Sequence, residues 1–168
     1  MNQQEIQQSQ LELTLLLREL TVQADRFVEV VSSRHGLHRT HLNALGVLSK
    51  SQISGEAVTA GKLGHELGLS SPATTALVDR LDRAGHVERK RDAVDRRQVH
   101  IVSTPPAQEM GRRLFSPLAE QMRRSMSNYS EDQLALVRQF IDDMISATKA
   151  AQDEVSKTPV KLEPSRKD

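Results

Sequence analysis

Apolar residues recur at three- and four-residue spacing through the first 31 positions: Ile6, Leu13, Leu16, Leu17, Leu20, Ala24, Phe27, Val28 and Val31, with Glu12, Glu19, Asp25 and Glu29 between them. This period predicts one long acidic helix over residues 3–31. Leu15 and Val30 widen its apolar face beyond what a single partner helix covers, so burial between subunits is expected. The run Ser32-Ser33-Arg34-His35-Gly36 is expected to break the helix. A second helix is predicted over 39–50 with Leu42, Leu45 and Leu48 inward, followed by a loop over 51–58 that contains Gly55.

The middle of the chain is punctuated more densely. Residues 59–67 form a short capped helix ending at Gly68, and Ser70-Ser71-Pro72 then opens another. A serine oxygen can accept an orphan backbone N–H, and proline pre-sets the first-turn φ. The second helix is predicted to run to Ala84 and stop at Gly85. Its buried stripe reads as Ala73, Leu77, Leu81 and Ala84 with Val78 at the margin, and its outward stripe as Ser71, Pro72, Thr75, Ala76 and Asp79. Two short helices about a glycine turn have the spacing of a helix-turn-helix, a candidate reader of duplex DNA.

After Gly85 the period changes from 3.6 to 2. Val87, Arg89 and Arg91 share one parity, and Val99 and Ile101 alternate with Gln98, His100 and Val102, which predicts two short antiparallel strands. Charge concentrates here: residues 80–100 carry Arg80, Arg83, Arg89, Lys90, Arg91, Arg96 and Arg97 against Asp82, Glu88, Asp92 and Asp95. Beyond the hairpin, Thr104 can cap a helix whose first turn holds Pro105 and Pro106; it is expected to run to about Asn128, with a kink or a break at Pro117. Ser130-Glu131-Asp132-Gln133 resembles a capping box for a last helix ending near Gln152, with Leu134, Val137, Phe140, Ile141, Met144 and Ile145 inward. Residues 153–168 are charged, proline-bearing and aperiodic, the pattern of a disordered tail.

Composition narrows the class. The 168 residues are 37% apolar, enough for one core, but only 2% aromatic and without tryptophan, so the core rests on aliphatic side chains that suit helices. A mainly α fold with a small β-hairpin is expected. No cysteine is present, which removes disulfides, cysteine-zinc sites and thiol redox sensing. No apolar run approaches the length of a membrane helix and the N-terminus lacks the order of a signal peptide, so no membrane partner and a cytoplasmic location are expected. The formal net charge of +1 is too small to imply nucleic acid by itself, and that case rests on where the charge lies.

The order helix-turn-helix followed by GHVERKRDAVDRRQVHIV closely resembles the winged helix-turn-helix core of the MarR (multiple antibiotic resistance regulator) family of dimeric bacterial transcription factors. The specific part is the wing motif Asp95-Arg96-Arg97, seven residues after Glu88-Arg89 and leading into a β-branched strand. The resemblance implies a single domain over 1–152. Dimerisation helices would lie at about 3–31 and 105–152, around a winged helix-turn-helix at about 53–104. It further implies a homodimer on a pseudo-palindromic operator, with a recognition helix in each major groove and a wing beside each minor groove. Repression, and a small-molecule effector bound between the dimer helices and the reading head, follow from the same likeness. The aromatic-poor composition offers such a ligand no ring to stack on.

For contacts to DNA, Ser70, Ser71 and Thr75 can hydrogen-bond, and Thr75 and Ala76 can offer methyl groups to thymine; Pro72 places this first turn near the bases. Ala76 stands where relatives often carry an arginine, so direct readout is modest and shape carries more. Arg80, Arg83, Arg89, Lys90 and Arg91 are phosphate candidates, though a charge run is usually a solvated face, and Arg96 is a further DNA-binding candidate. The resemblance places Arg97 at the minor groove, with Asp95 holding its guanidinium. His35, His38 and His41 are read as surface or capping residues rather than metal ligands, and no cofactor is expected. No constellation supports an enzyme. The alternative to a regulator is a winged helix used to dock other proteins.

Overall fold

The computed structural model describes residues 2–92 and 95–157. Among the described residues eight elements follow in chain order: α1 (Gln3–His35), α2 (Arg39–Ser54), α3 (Ala60–Leu67), α4 (Ser71–Arg83), β1 (Val87–Arg91), β2 (Val99–Ser103), α5 (Pro105–Met126) and α6 (Glu131–Lys157). The mainly α class with a two-stranded antiparallel hairpin therefore holds. Two compact units divide the chain, one ending at Pro117 and one starting at Leu118.

The first unit is organised by local stop signals. α1 opens with a capping box between Asn2 and Glu5 and runs through the serines at 32 and 33, ending only at Gly36, whose φ of 64° is left-handed. The expected break over 32–36 falls at its last residue, Gly36, and the serines before it stay helical, Ser33 donating its hydroxyl to the Glu29 carbonyl and Ser32 to the Leu37 carbonyl just past the helix end. α2 likewise outlasts its expected end and continues to Ser54, stopping at Gly55 with φ 72°, so the loop predicted over 51–58 shrinks. Leu42, Leu45 and Leu48 are buried on its inner face. Arg39 at the start of α2 pairs with Asp25 of α1, and Phe27 meets Phe115 with ring centroids 5.8 Å apart.

One cluster forms the core: Ala44 and Leu48 from α2, Val58, Leu63 from α3, Leu77, Val78 and Leu81 from α4, Val87 from β1 and Ile101 from β2. Every element of the reading head thus inserts at least one aliphatic side chain. The hairpin pairs Val87 with Ser103, Arg89 with Ile101 and Arg91 with Val99, so one face carries Val87 and Ile101 into the core. The N–H of Ile101 donates to the Val58 carbonyl (2.7 Å), and Thr59 bridges His100, which ties the hairpin to the start of α3.

Thr104 joins the end of α4 to the start of α5. Its hydroxyl donates to the Gly85 carbonyl (2.7 Å) and accepts from Ala107 N (3.3 Å), while its N–H donates to the His86 carbonyl (3.1 Å). α5 then passes through Pro117 as one helix to Met126, without the break that proline allowed. In the second unit, Ser130 and Gln133 form the reciprocal capping box at the start of α6. That helix reaches Lys157, past the predicted end at Gln152, and the remainder of the expected tail, 158–168, lies outside the described residues.

Both long terminal helices leave apolar surface uncovered. Val31 is buried and Phe27 and Val28 are half-buried, but Leu11, Leu15, Leu16 and Leu20 are 52–64% exposed. None of the α6 residues expected to face inward is buried: Leu134, Phe140, Ile141 and Met144 are half-buried, and Val137 and Ile145 are exposed. Large apolar faces left to water on one chain mark surfaces that something else covers.

Candidate nucleic-acid interface

α3 and α4 are built as a rigid pair. Thr59 caps α3 through Lys62 N (3.2 Å), and Gly68, with φ 63°, ends it so that the chain reverses into α4. Ser70 caps α4 through Ala73 N (3.5 Å) with Pro72 in the first turn. The buried stripe of α4 is Thr74, Leu77, Val78 and Leu81, not the one the alanines suggested: Ala73 and Ala84 are exposed, and Val78 is 1% exposed rather than marginal. The cause is the packing against α3. Thr74 donates its hydroxyl to the Ser70 carbonyl (2.9 Å), which removes its polarity, and packs against Gly64, the position on α3 that has no side chain to obstruct it.

That rotation leaves Ser70, Ser71, Pro72, Thr75 and Ala76 exposed together at the N-terminal end of α4. Thr75 donates its hydroxyl to the Ser71 carbonyl (3.1 Å), which leaves its methyl and lone pairs free. Arg80 and Arg83 are exposed further along, and Arg83 Nε donates to the Asp79 carbonyl (3.1 Å). Asp79, placed on the outward stripe by periodicity, is engaged: Arg89 of β1 reaches it at 2.5 Å and Asp82 at 2.7 Å. Arg91 is exposed, and Lys90 faces Glu88 at 3.4 Å.

Aspartates hold the described residues on either side of the wing loop. Asp92 Oδ1 accepts from Asp95 N (2.7 Å), Asp95 Oδ1 accepts from Arg97 N (3.0 Å), and Gln98 N donates to the Asp95 carbonyl (2.9 Å). Asp95 therefore holds the backbone of Arg97 rather than its guanidinium, which corrects the expectation; a carboxylate two residues before an N–H is already within reach of it. Arg96 and Arg97 stand exposed on this turn. At the loop's base His100 Nε2 lies 3.6 Å from Asp92 Oδ2.

His38 and His86 come near His41, as does Arg80 of the recognition helix. The rings of His38 and His41 meet edge to face with centroids 5.4 Å apart. Burial holds the His41 imidazole below its ordinary pKa, and Arg80, His38 and His86 push it the same way, which favours its neutral form. Sequence pattern alone missed this neighbourhood, since His86 and Arg80 reach His41 only through the fold. Among the described residues no group of three His, Cys, Asp or Glu could hold a metal ion.

This assembly matches known proteins. A sequence profile described as the MarR family matches residues 35–98. YcgE of Bacillus subtilis, an uncharacterised HTH-type transcriptional regulator, is 36% identical over 135 residues, covering 79% of this chain and 85% of its own. The chain belongs to the MarR family. Its fold agrees with a crystal structure of a MepR mutant from a multidrug-resistant S. aureus clinical isolate: TM-score 0.67 and 19% identity, over 80% of this chain and 96% of that one. S. aureus MepR bound to ethidium bromide aligns with TM-score 0.53 and 19% identity over 80% of this chain and 95% of that one. This MarR-family protein is accordingly a winged-helix, DNA-binding regulator of transcription. No helix among its described residues is long and apolar enough to cross a membrane.

Proposed function

We propose that this MarR-family protein is a cytoplasmic, ligand-responsive repressor that acts as a homodimer on a pseudo-palindromic operator, without catalysis. The observation that carries the reading is the pairing of an exposed polar turn at the start of α4 with two exposed arginines on a turn fixed by aspartates. Ser70, Ser71, Pro72, Thr75 and Ala76 would face bases, Arg80, Arg83, Arg91 and Arg96 phosphates, and Arg97 the minor groove. Residues 1–152 would act as one domain, whose uncovered apolar helices supply the dimer interface. A permanent dimer buries more than about 2,000 Å², and sedimentation at micromolar concentration is expected to give twice the chain mass; a monomer would overturn the assembly. Ethidium bound by MepR supports a small-molecule response.

The testing experiment is a salt series on a footprinted operator, with half-sites about ten base pairs apart. Arg97→Ala removes one cation from the DNA surface of each protomer, so the slope of log affinity against log salt is expected to become shallower by roughly 0.9 per protomer, about two per dimer. Asp95→Ala is expected to weaken binding although it removes an acid near DNA, because the turn that presents Arg97 loses its backbone acceptor. Tighter binding by Asp95→Ala with an unchanged slope for Arg97→Ala would leave the hairpin as a generic basic or protein-docking surface.

A further inference from the structure

Arg89 lies in the basic stretch of the hairpin, where charge alone makes it a candidate for phosphate. Its guanidinium instead forks between two carboxylates of the recognition helix, Nη2 to Asp79 Oδ1 at 2.5 Å and Nη1 to Asp82 Oδ2 at 2.7 Å. Asp79 and Asp82 are three residues apart and so stand on one side of α4. Arg89 pairs across the hairpin with Ile101, which is 3% exposed in the core. Cross-strand partners share a face, so the arginine stem leaves the sheet on the side that packs on the head. One side chain therefore spans from the middle of β1 to two successive turns of α4.

We propose that Arg89 is a positioning residue for DNA binding rather than a DNA-touching group: it locks the wing to the recognition helix and neutralises acids that would otherwise repel the duplex. A planar guanidinium held by two carboxylates in a fork is geometrically committed, unlike a lysine that swings to the nearest anion. Its two acids leave it outnumbered in charge, so moving it to a phosphate would expose two unpaired carboxylates beside a polyanion. The hairpin is otherwise only two strands, a unit of marginal stability by itself. A wing set in advance loses less freedom when helix and wing engage adjacent grooves together.

The inference rests on the proposed operator binding, and its test separates the two. Arg89→Met keeps the apolar stem and removes the charge. Without DNA, amide hydrogen exchange at residues 87–91 and 99–103 is expected to speed up while the rest of the head and the melting temperature stay near wild type. With DNA, affinity is expected to fall on the order of tenfold through reduced preorganisation with the salt slope unchanged, beside Arg97→Ala as the variant that flattens it. Removing both carboxylates with Asp79→Asn and Asp82→Asn in the Arg89→Met background is expected to recover part of the affinity but not the exchange protection. The proposal is overturned if Arg89→Met flattens the slope by roughly 0.9 per protomer, or if hairpin exchange in the free protein is unaltered. Because the exchange arm needs no operator, it decides the lock even if Arg97→Ala refutes the DNA reading.

Discussion

Leu77→Ala is expected to lower the stability of the reading head by about 2–5 kcal/mol, the range for emptying a buried leucine site that cannot collapse. Leu77 is fully buried at the middle of α4, in one cluster with side chains from α2, α3 and both strands. A cavity there weakens the packing of every element that positions the candidate interface, so operator binding is expected to disappear with the fold rather than through removal of a group that touches DNA. Thermal melting checks it. At roughly 2–4 °C per kcal/mol for a chain of this size, the drop is well outside error, and a variant melting like wild type would mean that the α4 stripe does not carry the head.

Gly64→Ala is expected to destabilise the head by on the order of 1–3 kcal/mol, the usual cost of overpacking, although alanine is the better helix former. A Cβ at Gly64 would lie 2.4 Å from Thr74 Oγ1 and 3.3 Å from its Cγ2. Thr74 cannot swing clear without giving up its bond to the Ser70 carbonyl, so α3 and α4 must separate. That displacement alters the angle at which α4 is presented, and DNA binding should fall more than stability does. Gly46 is the internal control, because a Cβ there meets nothing within 4 Å in the chain; Gly46→Ala is expected to stabilise by roughly 0.5–1 kcal/mol. Thr74→Ala in the Gly64→Ala background removes the clashing atoms and should restore melting. Absence of rescue would show that this close approach is not what limits the packing of the two helices.

Features that depend on a few neighbouring residues are legible in the chain order itself. The caps at Ser70, Thr59, Thr104 and Ser130 can be read there because each side-chain oxygen accepts from the N–H three residues on. The face that each hairpin residue takes follows from a period of two, since a slip by one residue would turn Val87 and Ile101 out of the core. Family likeness and the candidate residues on α4 and the wing are likewise visible as a local order of motifs.

Other features exist only once the chain has folded. Serines at 32, 33, 51 and 54 have the composition of helix breakers, yet they bond to nearby carbonyls, and the helices end where Gly36 and Gly55 take positive φ. Choosing between Ala73 and Thr74 for the buried stripe requires knowing that Gly64 lies opposite, because one position along a helix is a rotation of about 100° and both side chains are small. Arg89 reads as one more exposed charge, since the carboxylates that hold it lie seven and ten residues away, across a glycine turn that brings strand and helix together. The partner of Asp95 is ambiguous for a different reason: residue spacing does not distinguish the backbone N–H of Arg97 from the guanidinium of the same residue. Short-range bonding is encoded in spacing, whereas packing and long-range ion pairs depend on which surfaces the chain closes against one another.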